Sequence, residues 1–87
     1  MEGHLTSTYD PRYQMLISKL RDARREMGLT QAEVARRLRR PQSFVSKVES
    51  GERRIDPVEL YEFACLYKAE IEYFFTFELV KRRRPAR

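Results

Sequence analysis

The hydrophobic residues of the chain recur at helical spacing from residue 10 to about residue 80. Asp10-Pro11 is typical of an N-cap followed by proline at the first helical position, and Gly28 is typical of the residue just past a helix end. Between them one apolar stripe contains Tyr13, Leu16, Ile17, Leu20, Ala23 and Met27. The pattern therefore predicts a first helix that buries this stripe.

Cap and turn residues divide the rest of the chain into four more helices. Thr30 and Glu33 predict a capping box at the start of a short second helix. Pro41 opens a third helix, and Gly51 ends it. A fourth helix begins at Asp56-Pro57, and a fifth follows it. The expected fold is all-α, with five helices.

Length and composition limit what such a fold can hold. With 87 residues the chain has room for one domain. We divide it into an N-terminal arm expected to be flexible (residues 1–9), a helical domain (10–80) and a basic tail (81–87). No apolar stretch approaches the ~20 residues that span a bilayer. The first ten residues lack the basic start and apolar stretch of a secretory signal, so no membrane partner is expected.

Candidate chemistry is scarce. Cys65 is the single cysteine and His4 the single histidine. An internal disulfide, a multi-cysteine metal site and a Ser-His-Asp triad are therefore excluded. The sequence also lacks a glycine-rich phosphate loop. We expect no metal, no cofactor, no small-molecule ligand and no enzyme activity, and the expected location is a reducing cytoplasm.

Charge is distributed unevenly along the chain. The net charge of +5 equals the five cations of the tail, because residues 1–80 carry 13 basic and 13 acidic side chains. Within that neutral part, residues 36–54 carry seven cations against two acids, and residues 56–78 carry six acids against one lysine. A molecule polarised in this way presents one face to a polyanion, and chance clustering on a solvated surface is the alternative.

The second and third helices form the most informative stretch. A connection of about three residues joins them, and cations flank the second of the two. An α-helix of ~10 Å diameter fits the major groove of B-DNA, where short polar side chains reach base edges. The outward face of the third helix carries Gln42, Ser43, Ser46 and Lys47. The pattern predicts a double-stranded DNA partner, and an ordinary solvated face is the alternative.

The segments LTQAEVARRL and PQSFVSKVESGERR, followed by DPVEL and EYFF, resemble the phage lambda repressor and Cro family, also called Xre-like regulators. The resemblance covers about residues 13–75. It implies a lambda repressor-like DNA-binding domain of five helices, in which helices 2 and 3 form a helix-turn-helix and helix 3 enters the major groove. It also implies a sequence-specific transcriptional regulator, for which a repressor is expected.

The resemblance implies roles for individual residues. Gln31 matches a phosphate-contacting glutamine, and Arg53 and Arg54 match loop positions that clamp phosphates. The positions that touch bases or the adjacent backbone are occupied by Gln42, Ser43, Ser46 and Lys47. Arg24 and Glu49 match a structural ion pair that holds helix 3 against helix 1. For each of these roles an ordinary surface residue is the alternative.

Four positions depart from the family pattern. Arg39 stands where glycine commonly makes the turn, so the turn must tolerate a side chain at an expected positive φ. Pro41 replaces a capping Ser or Thr; either the cap comes from elsewhere, or Pro41 takes the first helical position after Arg40. Arg40 replaces an apolar residue and is expected to face phosphate. Phe44 replaces a small residue, and it either contacts a thymine methyl group or covers the core. Arg40 and Phe44 are both included among the expected DNA-contacting residues.

The C-terminal segment is rich in aromatic residues. Residues 73–80 hold more apolar side chains than one face of a small helix buries, so the segment either covers the core or exposes an interface. Residues 76–80 are also β-prone. Because one module buries little DNA surface and paired half-sites are read by two-fold dimers, we expect a homodimer. The expected dimer interface consists of Tyr73, Phe74, Phe75 and Phe77.

A second hypothesis comes from another functional class. An antitoxin-type interaction module would neutralise a partner protein through the acidic, aromatic face and would also bind DNA. A stoichiometric second protein that co-purifies with the chain would favour it. The basic tail either tracks phosphates or only aids solubility.

Overall fold

A computed structural model describes residues 10–76 of the chain, and among these residues it contains four α-helices, one 3-10 helix and no strand. The elements are α1 (Pro11–Glu26), α2 (Gln31–Leu38), α3 (Gln42–Ser50), α4 (Pro57–Tyr67) and the 3-10 helix (Ile71–Phe75). The expected arm (1–9), the expected tail (81–87) and Phe77 lie outside the described residues. The fold is all-helical, as predicted.

The helix starts coincide with the predicted caps. The side chain of Asp10 accepts a hydrogen bond of 2.8 Å from the backbone N–H of Arg12, and Pro11 occupies the first helical position. At α2, the Thr30 hydroxyl accepts from the Glu33 N–H at 3.1 Å, and the Glu33 carboxylate accepts from the Thr30 N–H at 2.8 Å. A similar box opens α4. Each cap satisfies amide groups that the helix itself leaves without a partner.

The turn between α2 and α3 is tight and left-handed. Arg39 adopts φ +61° and ψ +45°, a conformation that glycine usually supplies. The backbone N–H of Arg40 then donates to the Ala35 carbonyl at 2.9 Å and closes the turn. Pro41 is the N-cap of α3 in an extended conformation and makes no side-chain capping bond. The alternative in which Pro41 is the first residue of α3 is therefore wrong.

One hydrophobic core joins all these elements. The stripe of α1 is buried except at its ends, where Tyr13 is half-buried and Met27 is exposed. The largest fully buried side chains are Phe63, Phe74, Ile17, Leu20, Val34, Val45 and Val48. Because α1 packs against α3, α4 and the 3-10 helix, it forms the base on which α3 is held.

The fifth element is shorter than predicted. Lys68 ends α4 in the left-handed region with φ +56°, and Glu70 is extended, so a helical conformation resumes only at Ile71. Five residues then form a 3-10 helix, the form that short helical segments commonly take. The expected fifth α-helix is thus replaced by this single 3-10 segment.

The 3-10 helix also corrects the expected dimer interface. Phe74 is completely buried against the core, so it is not available to a second protein. Tyr73 is half-buried, with its ring 5.0 Å from that of Phe74 and the Lys19 ammonium 4.7 Å from its centre. Phe75 is exposed. Phe74 and part of Tyr73 therefore belong to the core, because the 3-10 helix covers the core where it packs against α1.

Candidate nucleic-acid interface

The outer face of α3 is polar and accessible. Gln42, Ser43 and Lys47 are exposed, and Ser46 is partly exposed. None of these side chains makes a hydrogen bond or ion pair with another residue of the range 10–76. The opposite face of the same helix is buried through Phe44, Val45, Val48 and Glu49. The helix therefore presents four unengaged polar side chains to a ligand on one side and is anchored on the other.

A buried ion pair anchors α3 to α1. The guanidinium of Arg24 donates to the two carboxylate oxygens of Glu49, at 2.7 Å from Nε and 3.0 Å from Nη2. Nη1 of Arg24 donates to the Leu29 carbonyl at 3.0 Å, and Arg21 donates to the Glu49 carbonyl at 2.7 Å. The side chain of Glu49 is 3% exposed and that of Arg24 is 12% exposed. The hydrogen bonds to Glu49 raise the pKa of Arg24 above its ordinary value.

Gln31 belongs to the same network. Its side-chain amide donates to Oε1 of Glu49 at 2.9 Å, and the residue is half-buried at the start of α2. The expected phosphate-contacting side chain is thus positioned by the ion pair. A glutamine amide has two N–H donors, so one donor remains after the bond to Glu49. The sequence assigns Gln31 only a contact with phosphate, so its bond to Glu49 is found from the structure alone.

A hydroxyl lies buried beside this ion pair without a partner of its own. Tyr67, at the end of α4, is buried, and its phenolic oxygen has no hydrogen-bond partner among the described residues. Burial raises the pKa of Tyr67, and the negative charge of Glu49 raises it further. The tyrosine therefore remains neutral and packs as part of the core, with its ring 5.8 Å from that of Phe63.

Phe44 is a core residue. It is 8% exposed, and its ring stacks on that of Phe63 at 6.0 Å with an interplanar angle of 15°. Of the two roles considered for Phe44, core cover is the one that the structure shows, and the expected contact with a thymine methyl group is wrong for this buried position. The outer surface of its ring carries two guanidinium groups, Arg40 at 4.5 Å and Arg53 at 4.8 Å from the centre.

Arg53 is bound to a buried carboxylate that the sequence reasoning missed. Its two terminal nitrogens donate to the two oxygens of Glu59, at 2.9 and 3.0 Å. Glu59 also accepts the Asp56 N–H at 3.1 Å, which completes the cap of α4. The bonds from Arg53 lower the pKa of Glu59 and raise that of Arg53 itself. The signal for Glu59 was present in the DPVE capping box, but its arginine partner was not apparent from spacing.

The two other expected phosphate-binding arginines differ in their environment. Arg40 lies 3.4 Å from Glu59 and 3.5 Å from Glu62, with its side chain partly exposed. Arg54 is exposed, and its guanidinium lies 5.6 Å from the ring centre of Tyr13. The loop that carries Arg54 is fixed by a 3.0 Å hydrogen bond from the Ile55 N–H to the Tyr13 hydroxyl. Both cations thus lie on structured backbone near the two ends of α3.

Other kinds of site are not found in the described part of the chain. Between residues 10 and 76 there is no group of three or more His, Cys, Asp or Glu residues that could hold a metal ion. Over the same range, every helix is too short or too polar to cross a bilayer.

Comparisons with known proteins identify the family of the chain. Residues 20–74 match the model of a family described as helix-turn-helix. A solved structure of an XRE-family like protein from Pseudomonas syringae pv. tomato str. DC3000 is 36% identical in sequence, with a TM-score of 0.75. The alignment covers 97% of this chain and 100% of that one. The chain belongs to the Xre family of helix-turn-helix proteins.

No curated protein matches this Xre-family chain. Membership of this family supports a DNA-binding regulator in general terms. The match runs from Leu20 in α1 to Phe74 in the 3-10 helix, so it includes the whole of α2, α3 and α4.

Proposed function

We propose that this Xre-family protein is a sequence-specific transcriptional regulator, acting as a repressor, in which α2 and α3 form the helix-turn-helix. In this proposal α3 lies in the major groove of duplex DNA. The observation that carries it is the outer face of α3, where four polar side chains have no partner among residues 10–76. These side chains have the chemistry that base edges require, since glutamine pairs with adenine and lysine with guanine.

Phosphate contacts would orient the helix without choosing the sequence. The remaining amide donor of Gln31 is available to a backbone oxygen, as are the exposed guanidinium of Arg54 and the partly exposed one of Arg40. Pro41 also leaves the first amide groups of α3 without a side-chain acceptor, and such groups favour an anion. These features support an interface that meets both bases and phosphates.

Selection from a random oligonucleotide pool tests the proposal. The full chain should enrich a defined sequence at a stated salt concentration and bind it more tightly than a scrambled duplex. Gln42→Ala and Lys47→Ala should each reduce that preference by about tenfold, because a good base contact contributes roughly 1–3 kcal/mol of discrimination. Arg25→Ala is the control, since Arg25 is an exposed cation on α1. A pool without enrichment, or variants that keep full preference, would contradict the proposal.

We also propose that the regulator binds DNA as a homodimer, because a two-fold dimer reads two half-sites. Since Phe74 is buried, we place the interface at exposed apolar side chains of α4 and the 3-10 helix, namely Val58, Tyr61, Ile71 and Phe75. Sedimentation equilibrium at micromolar concentration should give twice the monomer mass. Tyr61→Asp should give a monomer, whereas Met15→Asp, at an exposed apolar position on α1, should not.

An antitoxin-type role is the second candidate. It is favoured by the exposed acids Glu70 and Glu72, which lie next to the exposed Ile71 in the 3-10 segment. Such a mixed acidic and apolar surface suits a basic protein partner. Purification from the native source at moderate salt tests this role. A stoichiometric second protein that is lost on Glu70→Lys and Glu72→Lys substitution would support it, and its absence from the unmodified chain would contradict it.

A further inference from the structure

The geometry points to a carboxylate that restrains DNA binding: we propose that Glu62 on α4 competes with backbone phosphate for Arg40. The inference rests on the proposed DNA-binding function and concerns its strength. It follows from the unequal way in which two arginines share one acidic site. Both guanidinium groups lie on the ring of Phe44, but only one of them is firmly held.

Arg53 is the firmly held arginine. It makes two short bonds to Glu59, at 2.9 and 3.0 Å, and a third to the Arg54 carbonyl at 2.8 Å. Glu59 is buried, so removal of Arg53 would leave a carboxylate with little access to water. Arg53 therefore fastens the loop after α3 to the start of α4, and it remains in place when another anion approaches.

Arg40 is the loosely held arginine. Its contacts are 3.4 Å to Glu59 and 3.5 Å to Glu62, at the outer limit of hydrogen bonding. Glu59 is buried and also holds Arg53 by two short bonds, so Glu62 is the exposed acid whose pairing with Arg40 can be removed without disturbing Arg53. The side chains of Arg40 and Glu62 are 32% and 44% exposed, respectively. Exposed pairs of this kind are weak, and a phosphate offers a guanidinium two oxygens in matching geometry.

The position of Arg40 places it beside the proposed groove contact. Arg40 is two residues before Gln42, the first residue of α3, and its guanidinium lies over the ring of Phe44 in the first turn of that helix. A duplex contacted by Gln42 and Ser43 brings its backbone to this end of α3. Arg40 then exchanges its contact with the Glu62 carboxylate for a contact with phosphate oxygens, and the Glu62 side chain is released to solvent.

The consequence is a lower affinity for DNA of any sequence. Non-specific binding depends almost entirely on phosphate contacts, whereas specific binding also gains from base contacts. A competing carboxylate therefore weakens both by the same factor, and it limits the number of chains held on irrelevant DNA. Glu62 thus sets the overall affinity for DNA, and the ratio of specific to non-specific binding stays the same.

A double-mutant cycle on a random-sequence 30-base-pair duplex tests the inference. Glu62→Gln should tighten binding about two- to fivefold, the range expected when a weak exposed ion pair is removed. Arg40→Gln should weaken binding and reduce the slope of log affinity against log salt by about 0.9, the value for one phosphate contact. Glu52→Gln controls for the loss of one negative charge, since Glu52 is exposed and its side chain pairs with no described residue.

The decisive comparison is made in the Arg40→Gln background. There Glu62→Gln should change the affinity no more than Glu52→Gln does, because the competition requires Arg40. An equal effect of Glu62→Gln with and without Arg40, or an unchanged salt slope in Arg40→Gln, would overturn the inference while DNA binding itself persists. If the unmodified chain binds no duplex at low salt, the proposed function and this inference fail together. Circular dichroism of each variant verifies that it is folded.

Discussion

Substituting Glu49 by glutamine removes the charge of the buried ion pair with little change of shape. The carboxylate of Glu49 accepts two hydrogen bonds from Arg24 and one from Gln31. A glutamine at this position has one acceptor oxygen and one amide group, so an N–H donor must face the donors of Arg24 or Gln31. Arg24 would then remain charged in a largely buried position without a counter-ion.

The size of the effect follows from burial. Removing one partner of a buried ion pair costs about 3–5 kcal/mol, since an uncompensated charge is left behind. The side chain of Arg24 keeps 12% of its exposure, so we expect the lower end of that range, about 3 kcal/mol. For a domain of this size each kcal/mol shifts the melting temperature by about 4–8 °C. Glu49→Gln should therefore melt roughly 12–24 °C below the unmodified chain.

Thermal and urea unfolding followed by circular dichroism measure this loss. Glu52→Gln, an exposed position, should lie within about 0.5 kcal/mol of the unmodified chain. The double variant Arg24→Met, Glu49→Leu should be more stable than Glu49→Gln alone, because replacing both charges leaves neither one unpaired. A loss below about 1 kcal/mol for Glu49→Gln would refute the reasoning, since that is the value of an exposed pair.

Three further predictions concern stability. Hydrogen bonds from Arg12 lower the pKa of Asp10 from its ordinary 3.8 to about 2. The ionised carboxylate therefore stabilises the fold at neutral pH, and this contribution is lost as the pH falls from 3.8 towards 2. The melting temperatures of Asp10→Asn and the unmodified chain, which differ at pH 7, should converge at pH 2; a constant difference would contradict this. Tyr67→Phe removes a buried hydroxyl without a partner and should raise the free energy of unfolding by about 1 kcal/mol in urea titrations, whereas a loss would mean that the hydroxyl is bonded. Arg39→Gly removes the backbone strain of a side chain at φ +61° and should stabilise the fold by about 1 kcal/mol. Arg37→Gly, inside α2, should destabilise the fold by about the same amount. A change of the same sign in both variants would refute the argument.

The helix starts could be predicted from the sequence because capping is local. Asp10, Thr30 and Asp56 each bind amide groups two or three residues further on, so the residues that form the cap are adjacent in the sequence. The strained turn at Arg39 was predictable for the same reason, because its neighbours define where α2 ends. The 3-10 segment was not, since its conformation depends on how Phe74 reaches the core.

The polar face of α3 could be predicted from helical spacing, but the arginine contacts could not. Which arginine meets Glu59 depends on how α3 and α4 lie relative to each other, and the stacked rings of Phe44 and Phe63 are one contact that joins these two helices. A bulky residue at position 44 fills the space between the two helices and offers its ring to Arg40 and Arg53. Phe44, for which the sequence left a base contact open, is therefore the residue on which Arg40 and Arg53 pack.

This arrangement lowers the charge that DNA would encounter. Residues 36–54 carry seven cations by sequence, but Arg53 is paired with the buried Glu59, and Arg40 is shared between Glu59 and Glu62. Two carboxylates of α4, Glu59 and Glu62, thus cancel part of the positive potential that residues 36–54 alone would produce. Because each phosphate contact contributes about 0.9 to the salt slope, the slope should correspond to fewer contacts than there are cations in the segment. A slope that matched all seven would mean that DNA draws Arg53 away from Glu59, against the three short bonds that hold it.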